Sequence, residues 1–353
     1  MTFRPRIWRG WIGLTAALAA GSATSAAPLD WAWQKLPSLP DPEGFSGGLT
    51  GVSGGALLFA GGSNFVGKKP WDGGTKSWYD TIYALTGPTA AWTVVGKLPK
   101  TNGYGVSVTF HDEVVCVGGG NLQENYADVF ALRWDGREIH RRALPALPGR
   151  CADCAGALVG DVLYIMGGID RPTAGYAMRN FWSLDLRHPA QGWRVLEPLP
   201  GVARMFPEAG SSGGRFYLFG GEAIRPNGKE RPFRTFLTDA YAYAAGSGWR
   251  RLADLPYSET GALSPTPVTP AGKLLIVSGD DGTRITLDGP NHPGFRRDGL
   301  LYDPGADRWT AVPEGPITRS SVPTTLWRGL WIIPGGERKP GYRSNEVWGL
   351  RLN

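Results

Sequence analysis

Short apolar runs that stop at glycine recur along the chain. They are Ala56-Leu57-Leu58-Phe59-Ala60-Gly61-Gly62, Val114-Val115-Cys116-Val117-Gly118-Gly119, Val162-Leu163-Tyr164-Ile165-Met166-Gly167-Gly168, Phe216-Tyr217-Leu218-Phe219-Gly220-Gly221, Leu274-Leu275-Ile276-Val277-Ser278-Gly279 and Leu330-Trp331-Ile332-Ile333-Pro334-Gly335-Gly336. Each run is too short for a globular helix and rich in β-branched or aromatic residues, so each predicts a buried strand. A second element keeps step: a Trp, a few residues, then Leu-Pro. Its copies are Trp33…Leu39-Pro40, Trp92…Leu98-Pro99, a stretched Trp134…Leu147-Pro148, Trp193…Leu199-Pro200, Trp249…Leu255-Pro256 and a degraded Trp309…Gly315-Pro316. Aromatic strands such as Thr81–Leu85, Phe181–Leu184, Ala240–Tyr243 and Glu346–Leu350 lie between the two elements. No stretch carries the periodicity of a helix of globular length.

A unit repeated six times, roughly 50 to 60 residues apart, resembles the kelch β-propeller. The expected fold is all-β, a six-bladed ring over residues 28–353, each blade a four-stranded antiparallel sheet. One blade cannot bury both faces, so the blades must close on one another. The Gly-Gly pairs let backbones crowd near the axis, and the outer-strand Trp covers the face between neighbouring blades. The chain opens on a Trp…Leu-Pro strand (Trp31 to Pro40) and ends on inner strands. The opening strand is therefore expected to complete the last blade.

Repeats change what 353 residues mean: one ring rather than about two domains. Residues 1–27 read as a secretory signal, with basic Arg4, Arg6 and Arg9, an apolar run from Trp11 to Ala20, and small residues Ser22 to Ala27. The expectation is export to the periplasm. Without those three arginines the formal charge of +6 falls to +3, too little to argue for nucleic acid or membrane. Of three cysteines, Cys116 lies in an apolar strand and reads as core. Cys151-x-x-Cys154 could be a bridge, a redox pair or half a metal site; the plainest reading is two loop cysteines open to oxidation. No second Cys or His pair at zinc spacing accompanies it.

In a four-stranded meander, the loops after the Gly pairs and those before the inner strands open on one face. They carry Lys76, Glu222, Glu337 and Arg343 in the first group, and Asn102, Tyr104, Arg150, Arg204 and Arg319 in the second. Many cations among a few carboxylates around an axis suit a small anion. The loop Gly336-Glu337-Arg338-Lys339-Pro340-Gly341-Tyr342-Arg343 resembles the Gly-Glu-x-Lys-Pro-Gly-x-Arg loop of the bacterial N-acetylneuraminate epimerases, the sialic acid mutarotases. Gly47-Gly48-Leu49-Thr50-Gly51-Val52-Ser53, Lys76-Ser77-Trp78-Tyr79-Asp80 and Gly103-Tyr104-Gly105-Val106-Ser107 are similar to blades that follow that loop in the family. Here they come first, so the chain reads as a cyclically permuted member. It departs from the family at Asn102-Gly103, where the family has an Arg.

The resemblance implies a mutarotase that interconverts sialic acid anomers. The family's catalytic Glu and Arg fall on Glu337 and Arg343. Mutarotation needs a proton taken from the anomeric hydroxyl, which a carboxylate such as Glu337 can accept. Sialic acid carries a carboxylate on its anomeric carbon, which Arg343 is the residue type to clamp from two sides. Lys76, Asn102, Tyr104, Arg150, Arg204, Glu222 and Arg319 are the expected substrate-binding set. No metal or cofactor is expected, and the expected partner is a small acidic sugar. The bland alternative for Glu337 and Arg343 is a salt bridge that stiffens their own loop. The alternative for the whole chain is a non-catalytic propeller that binds an acidic sugar or a protein. The Asp-box repeat of a sialidase is absent, and His111, His140, His188 and His292 are too scattered for the ligands of a copper oxidase.

Overall fold

The computed structural model describes residues 30–353 apart from Lys229 and Asp288; the expected secretory signal lies outside the described residues. Six sheets of three or four strands surround one axis, and four two-stranded pairs accompany them among the described residues. Blade 1 runs Leu49–Ser53, Ala56–Ala60, Thr81–Leu85 and Thr93–Lys97. Its first hairpin turns through Gly54 and Gly55, with φ of 56° and 70°. A two-residue turn with both φ positive matches the right-handed twist of its strands, and glycine supplies both values without strain. Blades 2, 3 and 4 repeat the meander.

Blade 6 closes the ring. Its inner strands Thr325–Trp327, Leu330–Pro334 and Val347–Leu352 are completed by Trp31–Leu36, which pairs antiparallel with the last strand from Trp31↔Leu352 to Leu36↔Val347. The expected clasp is present, and it joins the two ends of the described chain.

Two departures have physical causes. Blade 5 contains three strands, Leu274–Val277, Gly299–Asp303 and Arg308–Val312, instead of four. Its innermost segment contains Pro265, Pro267 and Pro270, which have no N–H to give a ladder. Leu263–Ser264 pairs in parallel with Val322–Pro323 of blade 6 instead. In blade 2, Trp134 ends the third strand, Val129–Trp134, and is not in the outer strand. The outer strand, Ile139–Leu144, has no Trp, and Ile139 packs against the apolar cluster there.

The core is divided into pads between blades. Leu58, Ile82 and Leu98 of blade 1 meet Val114, Cys116 and Phe130 of blade 2, and a similar cluster fills each of the other five junctions. The outer-strand indoles tie adjacent blades by donating N–H to a carbonyl next door: Trp92 to Pro37, Trp193 to Pro145, Trp249 to Glu197 and Trp309 to Ala253, at 2.8–3.0 Å.

Two closed rings of backbone hydrogen bonds lie nearer the axis. In the first, the N–H of Gly47, Tyr104, Asp153, Phe206, Gly261 and Ser321 each donates to the carbonyl of its counterpart in the preceding blade, at 2.6–3.0 Å. All six have left-handed φ, from 51° to 66°. In the second, the last glycine of each pair donates across to the next blade: Gly62 to Asn102, Gly119 to Cys151, Gly168 to Arg204, Gly221 to Glu259, Gly279 to Arg319 and Gly336 to Phe45, at 2.7–2.8 Å.

This geometry explains the irregular fifth repeat. The first position of each pair has φ of 52–72°, which Ser278 adopts at 63°. The second has φ of 84–96°, and there glycine is kept in all six. A Cβ on Gly279 would lie 1.8 Å from Glu259 Oε1. Gly279→Ala is expected to cost about 2–4 kcal/mol, from backbone strain plus overpacking. Urea denaturation reads this, and an unchanged midpoint would contradict it.

Candidate active site

The loop after the blade 6 glycines is a tight hairpin, Glu337–Lys339 against Tyr342–Arg343. Pro340-Gly341 forms its turn, with Gly341 at φ 78°, the arrangement of a type II turn. Gly341 also packs close to Trp71, which a Cβ would approach to 2.7 Å. The hairpin register sets Glu337 opposite Arg343. Glu337 Oε1 accepts from the Arg343 guanidinium and, at 2.7 Å, from the Gly341 N–H. The Arg343 side chain is 2% exposed, that of Glu337 21%. Arg343 Nε also donates to the Ser63 carbonyl at 3.4 Å, and its guanidinium lies over Phe65. The Lys-Pro-Gly turn therefore aims a carboxylate, and a buried guanidinium holds it.

Tyr104 joins this hairpin to the axis. Its hydroxyl lies 3.2 Å from Ser63 Oγ and accepts from Lys76 Nζ at 3.1 Å. Burial alone would raise the phenol, but the charges of Lys76 and Arg343 outweigh it and hold Tyr104 below its ordinary value. Lys76 sits over the rings of Tyr104 and Trp78. Tyr104, Asp153 and Phe206 line an axial cavity of about 60 Å³, room for a few waters but not for a sugar ring. A sugar would have to sit at its mouth, among the loops.

Carboxyls gather on the far side of that mouth. Glu222 begins the hairpin Glu222–Asn227 with Glu230–Phe236 and meets Arg234 at 3.1 Å. Burial raises Glu222 to about 7, against the pull of Arg234. Asp153 is likewise raised to about 7 by burial, partly offset by Lys76 and Arg234. Asp280 is raised by burial as well. One wall therefore carries Lys76, cationic, beside the enclosed Glu337–Arg343 pair, and the opposite wall carries the carboxyls of Asp153 and Asp280, with Glu222, only 1% exposed, held by Arg234.

Of the residues expected from sequence, the structure brings together Glu337, Arg343, Tyr104 and Lys76; Glu222 lies across the axis, but its side chain is buried and held by Arg234. It does not bring the others to the mouth. Arg204 is fully buried, with a two-pronged grip on Asp239 at 2.6 and 2.7 Å and a further bond to the Gly220 carbonyl. Arg319 is bound to Glu346, Ser344 and the Thr318 carbonyl. Asn102 Nδ2 donates to the Gly118 carbonyl. These three occupy the position whose carbonyl accepts from the Gly pair, so their side chains are drawn into the seams between blades. Arg150 is exposed and pairs with Glu124 at 3.2 Å. Cys151 and Cys154 are free thiols, and Cys151 is buried with its S–H toward the Gly167 carbonyl. Asp153 was not expected. The signal that would reveal it is its place two residues after Cys151, the counterpart of Tyr104 after Asn102.

Comparison with known proteins bears on the first two blades. Residues 13–140 match the family model described as N-acetylneuraminate epimerase. Over this opening stretch the chain is similar to that family. It is 34% identical over 122 residues to an N-acetylneuraminate epimerase of Haemophilus influenzae (strain PittEE), 30% of this chain and 32% of that protein. It is 36% identical over 125 residues to one of Pasteurella multocida (strain Pm70), 30% and 33% of the two chains. It is 37% identical over 123 residues to one of Brucella suis, 30% and 31%. The match thus spans about a third of the length of these curated relatives. Lys76, Asn102 and Tyr104 fall within the family match; Glu337, Arg343, Glu222 and Asp153 fall outside it. The solved structure described as "Structure of YjhT" shares the fold, with a TM-score of 0.65 at 17% identity, covering 88% of this chain and 95% of that one.

Carboxyls raised in the folded protein bind protons more tightly there than in the unfolded chain. Their contribution to stability is therefore full below the unfolded values near 4 and declines as pH rises toward 7. Glu208, raised to about 8 by burial between blades 4 and 5, extends that decline. Carboxyl-carbon NMR titration is expected to find Asp153 and Glu222 with midpoints near 7, and both moving higher in Arg234→Gln. Midpoints near 4 would refute the burial argument.

Proposed function

We propose that the protein is a mutarotase for an anionic sugar, with N-acetylneuraminate as the leading substrate. The observation that carries this reading is the held carboxylate of Glu337 at the mouth of the axis, next to a cationic wall and opposite a wall of carboxyls. A sialic acid has a carboxylate on its anomeric carbon and hydroxyls along its tail. The cationic wall suits the first and the carboxyl wall the second. Similarity of blades 1 and 2 to N-acetylneuraminate epimerases supports the same substrate class.

The chemistry starts at the anomeric hydroxyl. Glu337 Oε1 is committed to Arg343 and Gly341, which leaves Oε2 to accept the hydroxyl proton. As the ring C–O bond breaks, the anomeric carbon becomes a ketone carbon. Rotation about the adjacent bond and closure on the other face give the other anomer. Arg343 is too enclosed to grip a substrate carboxylate from two sides. Its part in this reading is to hold Glu337 in place, while Lys76, more open and beside Tyr104, takes the substrate's charge. We further propose that the chain works in the periplasm, on the strength of the signal-like pattern in residues 1–27, and that it is a cyclic permutation of the family order. The pairing of Trp31–Leu36 with Val347–Leu352 supports the permutation, since a ring whose ends meet tolerates a cut elsewhere.

The test is proton NMR of freshly released α-N-acetylneuraminate, following its conversion to the β anomer. The protein is expected to accelerate conversion, Glu337→Gln to lose at least about 100-fold of it, and Lys76→Met to raise KM more than it lowers kcat. Binding of the sugar without acceleration would leave the non-catalytic alternative.

A further inference from the structure

Mutarotation moves two protons, and Glu337 accounts for one. The other must reach the ring oxygen as its bond to the anomeric carbon breaks. We propose that Asp153, on the axial ring of blade 3, delivers that proton. The inference rests on the mutarotase reading above.

Position is the first argument. Six equivalent residues form the inner backbone ring, and among Gly47, Tyr104, Asp153, Phe206, Gly261 and Ser321 only Tyr104 and Asp153 have acidic side chains. Asp153 donates its N–H to the Tyr104 carbonyl at 2.9 Å and accepts from the Phe206 N–H at 2.8 Å, so its backbone is held on both sides. It lines the axial cavity beside Tyr104. The second argument is environment. Among the described residues, no hydrogen bond or ion pair ties up the Asp153 carboxyl. The groups that act on it or feel its charge are Lys76 from blade 1, Arg234 and Glu222 from blade 4, and Cys151 on its own loop. Tyr104 adjoins it on blade 2. Burial keeps the carboxyl protonated up to about 7, so near neutrality it has a proton to give.

The step balances without a co-reactant. Glu337 removes the hydroxyl proton, the electrons of the C–O(ring) bond pass to the ring oxygen, and the Asp153 carboxyl protonates that oxygen. Closure runs backward: Asp153 takes the proton from the same hydroxyl, and Glu337 returns its proton to the new anomeric oxygen.

The experiment is the pH–rate profile of mutarotation for the wild type, Asp153→Asn, Asp153→Glu and Tyr104→Phe, with spontaneous conversion subtracted. Asn accepts a left-handed φ as Asp does, so the first variant is expected to fold. The wild-type kcat is expected to fall above about pH 7. Asp153→Asn is expected to lose at least about 100-fold in kcat with KM changed less than about threefold, to lose that alkaline fall, and to be partly rescued by Glu. Should Asp153→Asn fail to fold, the carboxyl-carbon titration of the wild type answers instead: bound N-acetylneuraminate must shift the Asp153 midpoint, and an unmoved midpoint overturns the proposal. A variant within threefold of wild type with the alkaline fall intact also overturns it, and loss of the fall in Tyr104→Phe would give the role to Tyr104. If the wild type accelerates nothing, the mutarotase reading itself fails and Asp153 loses its role with it.

Discussion

The ring of six backbone hydrogen bonds through Gly47, Tyr104, Asp153, Phe206, Gly261 and Ser321 is the constraint on which the rest of the structure depends. Each bond joins neighbouring blades near the axis, where the sheets converge and side chains have least room. Making it requires a left-handed residue just before each inner strand, and all six comply. The second ring, from the Gly pairs to the residue two before each of these, fixes the same junction from the outer side. Together they set the angle between blades. The apolar pads and the indole bonds at the rim then fill the wedge that this angle leaves.

That constraint also decides which side chains can act. A residue on the inner ring points toward the axis, whereas a residue two positions earlier lends its carbonyl to the Gly pair and its side chain to a seam. Tyr104 and Asp153 are of the first kind; Asn102, Arg204 and Arg319 are of the second. Arg204 shows the cost of such a position: a fully buried guanidinium must have its charge and donors matched, and Asp239 with two carbonyls does so. Held charges of this sort stiffen the ring and are not available to a ligand. The charges that remain at the mouth come from Asp153 on the inner ring and from the loops after the Gly pairs, and these divide into a cationic and a carboxyl side.

The fold was legible in the sequence because its rules are local and repeated. Glycine is needed where φ reaches about 90°, so the Gly pairs mark the strand ends. The order of elements at the two ends told how the ring closes. The failures are equally local. Trp134 has the right residue type but lies on the other side of a turn from the outer strand, and spacing alone cannot tell those apart. The prolines of blade 5 were visible, yet their effect depends on which strand would have needed their N–H. At the site, Glu337, Arg343 and Tyr104 were legible from a loop motif and from loop position. Charge and loop position point the arginines before the inner strands to the mouth, because neither reveals a buried partner such as Asp239, 35 residues from Arg204. Asp153 carries no motif of its own; its place follows only from the backbone register it shares with Tyr104.

The most direct test of the central claim, a charge-divided mouth that orients an anionic sugar beside Glu337, is a crystal structure of the Glu337→Gln variant with N-acetylneuraminate. The sugar is expected at the axial mouth, its carboxylate toward Lys76, its anomeric hydroxyl within hydrogen-bond reach of residue 337, and its hydroxylated tail toward Asp280 and Arg234. A sugar bound with its carboxylate toward Glu222, or bound away from the axis altogether, would contradict it.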